Sequence, residues 1–229
     1  MTISIIIPAY NEEEFIGPLV SFLKKNSSRA VSEIIVADGG SIDNTVSAAT
    51  AAGATAVVSP LKSRSCQMNY GASMARGTIL YFVHADTFPP ASYVADILDA
   101  RQRGKSLGRY HTKFLSRKKI LWLNEWFTRF DFFICMGGDQ TLFITKALFD
   151  SLGGFNSSMM LMEEYEFCAR ARQGGSYTIM NGAALVSARK YEKNSWLRVQ
   201  RANFKVMQLY KKGESQLTLA ATYKRMLNW

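Results

Sequence analysis

Short runs of apolar residues, each ending at a group of polar side chains, are the main pattern in the first hundred positions. Residues 3–7 lead into PAYNEEE, residues 34–37 into DGGS, and residues 79–83 into HADT. Such runs are typical of strands that are buried on both faces of a parallel sheet. Ligands of open α/β sheets bind beyond the carboxyl ends of the strands, so we expect the three polar endings to form one site.

Helical spacing of apolar residues separates these strands. Residues 13–25 carry an apolar face and end in two lysines, which is typical of an amphipathic helix with a basic last turn. Further helices are predicted near residues 43–52, 65–76 and 92–103, with a short strand at 56–59. Alternation of strands and helices favours an α/β fold with a doubly wound, mostly parallel sheet flanked by helices.

Beyond residue 103 the pattern is weaker. Residues 104–119 are basic and show no clean period, so we expect a mobile loop. Residues 120–136 are dense in Trp and Phe, and we favour a core helix over an interfacial helix or an acceptor pocket. The apolar residues of 196–210 allow either a helix that closes the fold or one that lies on lipid.

Composition indicates one compact unit. With 229 residues, 48% of them hydrophobic and 20% charged, the chain can bury one sizeable core, and we expect a single domain over 1–229. The amino terminus reaches Pro8 too early for a signal peptide, and no apolar run is long enough to span a membrane. Three cysteines without CxxC spacing fit a reducing compartment, so we expect a cytoplasmic protein.

The net charge of +10 is spread unevenly. Residues 100–120 hold eight Lys or Arg and no acid, whereas residues 180–229 hold ten Lys or Arg and two Glu. The rest of the chain is therefore acidic. The basic blocks could steer a polyanionic substrate, rest on the inner face of an anionic membrane, or form a solvated surface.

In their order along the chain, the polar motifs resemble one family, the family-2 inverting glycosyltransferases with the GT-A fold. PAYNE at 8–12 and DGGSIDNT at 38–45 look like its two nucleotide-binding motifs, and HAD at 84–86 lies where the family has its DXD metal motif. MEE at 162–164 lies where it has the acidic pair that supplies the base. Segments 138–140, 153–155 and 187–192 are similar to a bacterial subgroup associated with arsenosugar biosynthesis gene clusters.

The resemblance implies a nucleotide-diphosphate sugar as donor, which we expect to be a UDP-sugar, and an acceptor with a hydroxyl group. Residues 1–100 would form the nucleotide-binding half, and residues 101–229 the acceptor half with closing helices. Asp139 and Gln140 would contact sugar or acceptor, and Arg189 would clamp the diphosphate. The donor contacts that the resemblance implies near base, ribose and diphosphate are Pro8, Ala9, Tyr10, Glu12, Asp38, Gly40, Arg64 and Gln67.

Loss of a nucleoside diphosphate places charge on phosphate oxygens, which a divalent cation can offset. Mg²⁺ and Mn²⁺ are held by one or two carboxylates together with substrate phosphates, so Asp86 is the expected ligand. His84 replaces the first acid of the DXD motif. It would either ligate the cation, for which Mn²⁺ is better suited than Mg²⁺, or remain a neighbour that bonds ribose or phosphate.

A positioned carboxylate is also expected to take the proton of the acceptor hydroxyl. Glu164 is the first candidate, and Glu163 is the alternative because the family usually has the shorter Asp at position 164. Acidic residues are also favoured in the first turn of a helix, so helix stability alone would explain why residues 163 and 164 are glutamates, without any catalytic role.

Three other classes stay open on the sequence alone. A nucleotidyltransferase uses a similar sheet and metal, but the loop 8–14 has neither the glycine nor the lysine expected of its phosphate cradle. A nucleic-acid-binding module would suit the pI of 9.6, yet converging carboxylates would repel its phosphates. Because of this repulsion, we expect no nucleic-acid partner. An inactive relative that binds the donor without transferring the sugar is the third class.

Overall fold

A computed structural model describes residues 1–131 and 140–228. Within these ranges, one sheet has the strand order β3-β2-β1-β4-β7-β6-β8-β5. Four neighbouring pairs are parallel and three are antiparallel, so the expected α/β class with a mostly parallel sheet is confirmed. The strands are β1 (Ile3–Ala9), β2 (Val31–Asp38), β3 (Thr55–Val58), β4 (Ile79–Phe82), β5 (Thr87–Phe88), β6 (Leu107–Leu115), β7 (Leu142–Thr145) and β8 (Tyr177–Ser187).

Helices connect and flank these strands. Those predicted in the first hundred residues are present, each within a few residues of its predicted bounds. The second half adds helices that the sequence pattern only partly indicated. The helices are α1 (Glu13–Lys25), α2 (Thr45–Ala51), α3 (Arg64–Met74), α4 (Tyr93–Gln102), α5 (Leu121–Phe127), α6 (Lys146–Ser151), α7 (Glu163–Gly174), α8 (Arg189–Lys193), α9 (Trp196–Lys211) and α10 (Gln216–Met226).

Strand β1 is buried along its whole length and lies at the centre of the parallel part of the sheet. Ile5 and Ile7 pack on one face with residues of α1, while Ile6 packs on the other face with residues of α3. In the parallel register, Ala9 lies opposite Asp38 of β2, and Ile6 lies opposite Phe82 of β4. The polar endings of all three strands therefore meet at one edge, as the sequence pattern predicted.

The expectation of a mobile loop over 104–119 is wrong. Residues of β6 pair in parallel with β8, and most of the strand's first half is buried. Arg109 is buried within it because its guanidinium donates to the carbonyls of Thr128 (2.7 Å) and Phe130 (3.1 Å). Basic side chains thus concealed a strand, because a buried arginine with carbonyl partners does not show up in a hydropathy pattern.

The core interpretation of the aromatic stretch is also wrong for its described part. Of the residues in α5, only Leu121 is buried, whereas Trp122, Trp126 and Phe127 are 60%, 42% and 51% exposed. Phe130 and Trp126 stack edge to face, with ring centroids 4.6 Å apart. Phe132 and Phe133 lie outside the described residues.

Helix α9 closes the fold. Its residues Val199 and Ala202 pack in a small cluster with Leu121, Tyr191 and Leu227. This packing supports the closing-helix alternative. Nowhere in residues 1–131 and 140–228 is a helix both long and apolar enough to cross a membrane.

The close packing of α3 on β1 gives a stability test. A Cβ added at Gly71 would meet Cγ2 of Ile6 at 2.6 Å, whereas a Cβ at Gly17 of α1 would meet ordinary contacts at 3.7 Å. We expect Gly71→Ala to destabilise the protein by about 1–3 kcal/mol through overpacking. We expect the control Gly17→Ala to change the stability by less than about 1 kcal/mol, because the helix propensity of alanine is opposed by its position before Pro18. Chemical denaturation measures both, and equal effects would contradict the packing.

Candidate active site

The loop after β2 is organised by the Asp38 carboxylate. Its Oδ2 accepts the backbone N–H groups of Gly40 and Ser41, each at 2.8 Å, and the Ser41 hydroxyl donates to Oδ1. Gly40 has a φ of +81°, and nothing lies within 4 Å of a Cβ built there. The buried Asp38 thus holds a tight turn whose outer side is open to a ligand.

The loop after β1 is tied to this turn. Asn11 adopts a φ of +53°, its N–H donates to Ser41 Oγ (2.9 Å), and its Oδ1 accepts from Ile42 N–H (3.0 Å). The N–H of Glu12 donates to Thr45 Oγ1 at 2.8 Å. Because a positive φ in a non-glycine residue is strained, these bonds are needed to hold the loop in place.

Gln67 lies beneath the two loops. Its Nε2 donates to the carbonyls of Ala9 (2.6 Å) and Ala37 (2.9 Å). These two residues lie at the carboxyl ends of β1 and β2. These bonds make Gln67 a brace for the edge. Pro8 and Ala9 are buried within β1, whereas Tyr10 is exposed, with the Lys62 ammonium 3.5 Å from its ring centroid.

Arg189 links two acids of the edge. Its guanidinium donates to both carboxylate oxygens of Glu12, one of these bonds being 2.7 Å, and its Nη2 lies 3.3 Å from Asp86 Oδ2. Arg189 begins α8, so this contact brings the carboxyl-terminal part of the chain to the ends of β1 and β4. It also offsets the negative charge that two neighbouring carboxylates would otherwise concentrate.

His84 and Glu164 form a buried contact. His84 Nε2 lies 2.9 Å from Glu164 Oε1, although the residues are 80 positions apart in the sequence. Met162, just before α7, has a φ of +68° and sets the direction from which the helix and its glutamates enter the site. Glu164 Oε2 is buried and accepts no hydrogen bond from the described residues. A free acceptor oxygen is thus held next to the strand ends.

Glu163 is buried beside Glu164 and pairs with Arg64, whose Nη1 lies 3.5 Å from its carboxylate. Burial is the main cause that raises the pKa of Glu163 above its ordinary value, and the neighbouring Glu164 acts in the same direction, whereas Arg64 opposes it. The two glutamates therefore have different surroundings. Glu163 has a cationic partner, and Glu164 has an imidazole.

A cavity of about 650 Å³ opens on the other side of these glutamates. It lies between α5, the start of α7 and α9, and Gln140 also lines it. This volume is in the range of small-molecule sites. Sequence reasoning identified Arg64, Gln140 and the glutamates but not the residues of α9 and α10 that line the cavity, such as Asn203 and Tyr223.

Asp139 lies outside the described residues. The other predicted site residues are brought to the strand edge or to the adjoining cavity. Asn69 of α3 bonds to Phe155 and Ser157 and so supports the turn before α7.

Asp86 is the carboxylate best placed for a cation. Its side chain is 20% exposed, and its Oδ1 has a single long contact, at 3.5 Å from Thr87 Oγ1. The described part of the chain contains no cluster of three or more His, Cys, Asp or Glu side chains that could hold a metal ion. His84 Nε2 faces Glu164. These residues fit a cation that shares its ligands with a bound diphosphate, not one held by the protein alone.

Comparison with known proteins identifies the family. The model of glycosyl transferase family 2 matches residues 4–151, which is more than half of the chain. The chain belongs to glycosyl transferase family 2. The matched residues include the loops after β1, β2 and β4.

Two curated relatives of this family-2 chain are glucosyl-3-phosphoglycerate synthases. The protein from Mycolicibacterium smegmatis is 35% identical over 97 residues, covering 39% of this chain and 32% of the relative. That from Mycolicibacterium paratuberculosis is 35% identical over 99 residues, covering 39% and 30%. The chain thus spans about a third of the length of these relatives.

Solved structures share the fold. Staphylococcus aureus TarS 1–349 in complex with UDP has a TM-score of 0.70 at 15% identity, covering 82% of this chain and 61% of that one. Mycobacterium tuberculosis glucosyl-3-phosphoglycerate synthase, in complex with Mn²⁺, UDP and glucosyl-3-phosphoglycerate, has a TM-score of 0.65 at 18% identity, covering 93% and 80%. The similarity supports the GT-A fold expected from the sequence.

The raised pKa of Glu163 predicts a pH-dependent stability. Because this pKa is higher in the folded than in the unfolded chain, its contribution is fully present below the ordinary value of 4.5 and is lost as pH rises through the folded value. We expect Glu163→Gln, which cannot ionise, to be more stable than wild type at about pH 8 but not at about pH 4.

Thermal unfolding across this pH range measures the difference in stability. Glu214→Gln, a change at an exposed glutamate, is the control and should leave the pH profile unchanged. A stability difference for Glu163→Gln that is constant with pH would contradict the inferred burial cost.

Proposed function

We propose that this protein transfers a sugar from a nucleotide-diphosphate sugar, with uridine as the favoured nucleotide, to a hydroxyl group of an acceptor, with inversion at the anomeric carbon. One observation carries the proposal. The His84–Glu164 contact places a carboxylate with a free oxygen close to the segment that carries Asp86. A proton acceptor and a diphosphate-side carboxylate thus belong to one site.

The donor nucleotide is assigned to the loops after β1 and β2. The turn held by Asp38 leaves Gly40 open, so a base or ribose can approach the backbone there. Tyr10 is exposed beside the same loops and offers a ring for stacking. The UDP bound in the structures of TarS and of the mycobacterial synthase supports uridine as the nucleotide. Residues 1–100 would then bind the donor, and residues 101–229 would bind the acceptor.

Asp86 would hold a divalent cation, Mn²⁺ or Mg²⁺, together with the diphosphate. When bound, the cation neutralises charge that develops on the leaving phosphate oxygens. Arg189 already contacts Asp86 and is partly exposed, so its guanidinium can turn to the diphosphate when the donor arrives. The Mn²⁺ in the mycobacterial synthase structure supports this assignment. In this arrangement His84 positions Glu164 rather than ligating the cation.

Glu164 would act as the general base. Its Oε2 takes the proton of the acceptor hydroxyl while the acceptor oxygen forms a bond to the anomeric carbon and the bond from that carbon to the diphosphate breaks. His84, bonded to Oε1, keeps the carboxylate oriented during this step. Attack from the side opposite the leaving group gives the inverted product.

The acceptor is the least constrained part of the reaction. The family match favours a glycosyltransferase over the nucleotidyltransferase and the nucleic-acid-binding module that the sequence alone left open.

The role of Asp86 is tested by titrating the protein with UDP, with and without Mn²⁺. We expect Mn²⁺ to tighten UDP binding by about tenfold or more in wild type, and this effect to vanish in Asp86→Ala. Asp99→Ala removes an exposed carboxylate of α4 that pairs with Arg103, and it should behave as wild type. A Mn²⁺ effect that survives in Asp86→Ala would show that the cation is held elsewhere.

Glu164→Gln tests the base. We expect the rate of sugar transfer, followed as the release of UDP from the UDP-sugar, to fall by about 10²- to 10⁴-fold, because a general base contributes a rate factor of this order. UDP affinity should change little, since Glu164 is assigned to the acceptor side. Glu163→Gln is the matched control and should retain most of the activity. The reverse order of the two variants would make Glu163 the base.

A further inference from the structure

We infer that the acceptor is an alcohol with a polar head and an extended apolar body, such as an alkyl or aryl glycoside, and that this body occupies the 650 Å³ cavity beside Glu164. The inference rests on the proposed function, because it treats the cavity as the acceptor side of that site. It adds the chemical class of the acceptor.

The cavity walls are mainly apolar. Aromatic and aliphatic side chains come from three separate elements, β6, α5 and α9. Pockets of this kind bind ligands by burying apolar surface, with a few polar groups that fix orientation. The main apolar residues of the wall are Phe114, Leu123, Phe127, Trp196, Phe204 and Met207.

The polar residues of the wall are largely engaged with one another. Asn124 Oδ1 accepts from Trp196 Nε1 at 2.8 Å, and Asn124 Nδ2 donates to the Tyr191 hydroxyl at 2.9 Å. A satisfied amide presents little demand for a polar ligand group. Glu164, whose Oε2 is buried without a hydrogen-bond partner among the described residues, also lines the cavity, so the hydroxyl-bearing head of the acceptor is recognised beside it.

The charge of the cavity argues against a phosphorylated acid as acceptor. Among the described lining residues, the charged ones are Arg64, Lys190, Glu163 and Glu164, which balance in sign. Arg64 also pairs with Glu163. A site for a multiply charged anion needs an excess of cations. An acceptor such as the phosphoglyceric acid present in structures of the mycobacterial synthase would find no such excess of cationic side chains among the described residues of this cavity.

The apolar wall continues to the surface. Phe127 of α5 and Phe204 of α9 both line the cavity and are 51% and 59% exposed. An apolar body longer than the cavity can therefore extend between these two helices without losing apolar contact. The opposite arrangement, with a polar rim closing the cavity, would have favoured a small acceptor.

The test compares two glycosides that carry the same sugar head, octyl β-D-glucoside and methyl β-D-glucoside. Each is titrated, below micelle formation, into the protein saturated with UDP and Mn²⁺. Burial of several methylene groups should make the octyl glycoside bind at least about tenfold more tightly. Equal affinity for the two glycosides would overturn the inference.

Two variants on α9 locate the tail. Phe204 and Leu197 are almost equally exposed, at 59% and 60%. Of these two residues, Phe204 lines the cavity and Leu197 does not. Phe204→Ala should weaken octyl glycoside binding by about fivefold or more, whereas Leu197→Ala should change it by less than about twofold. Equal effects of the two variants would indicate general adhesion to an apolar surface and would overturn the inference.

UDP titration separates the two claims. UDP binding with no preference for the octyl chain contradicts the acceptor class and leaves the transferase proposal intact. A chain preference that depends on Phe204, in a protein that does not bind UDP, contradicts the transferase and with it the role of the cavity as an acceptor site. UDP-dependent transfer to octyl glycoside, monitored by mass spectrometry with a panel of UDP-sugars, would support both.

Discussion

The contact between His84 and Glu164 is the interaction on which the site depends. His84 follows β4 at the carboxyl edge of the sheet, and Glu164 lies in the first turn of α7. Both side chains are buried, so their hydrogen bond is shielded from water. It fixes the position of Glu164, the proposed general base, relative to the strand edge where the donor is proposed to bind. A transferase needs this distance to be constant, because the two substrates react only when their atoms are held in line.

The same edge must also tolerate a concentration of acids. Glu12, Asp38, Asp86 and the two glutamates of α7 converge there, and several kinds of partner compensate their charge. Asp38 accepts backbone and hydroxyl hydrogen bonds, Glu12 and Asp86 share Arg189, and Glu163 has Arg64. The acids at the start of α7 are further stabilised by the helix dipole. Glu164 is left with one free oxygen, which is the property a base requires.

The sequence was sufficient to predict the parts of the fold in which burial and chain connectivity act together. The runs 3–7, 34–37 and 79–83 are continuous because their strands are buried on both faces, and this pattern indicated both the sheet and the edge where polar residues meet. The pairing of Glu164 with His84, and of Arg189 with Glu12, joins residues 80 and 177 positions apart. No local pattern carries such pairings. The motif order could only place these residues in the same site through resemblance to a family.

The errors also have physical causes. Arg109 is buried with backbone carbonyls as partners, so the strand β6 was concealed by its basic residues. Leu123 and Phe127 are one helical turn apart, but α5 packs mainly through Leu121 and leaves both of them exposed. Periodicity gives the direction of side chains around a helix and does not determine what covers them. Here Leu123 and Phe127 line a cavity and are not part of the core.

Crystals grown with UDP and MnCl₂ would locate the nucleotide by its electron density and the metal by the anomalous diffraction of manganese. We expect one manganese peak beside the Asp86 carboxylate and the diphosphate, with uridine against the loops that Asp38 and Asn11 hold, and Glu164 Oε2 facing the open side of the diphosphate. Manganese bound away from Asp86, or UDP bound outside the carboxyl edge of the sheet, would contradict this expectation.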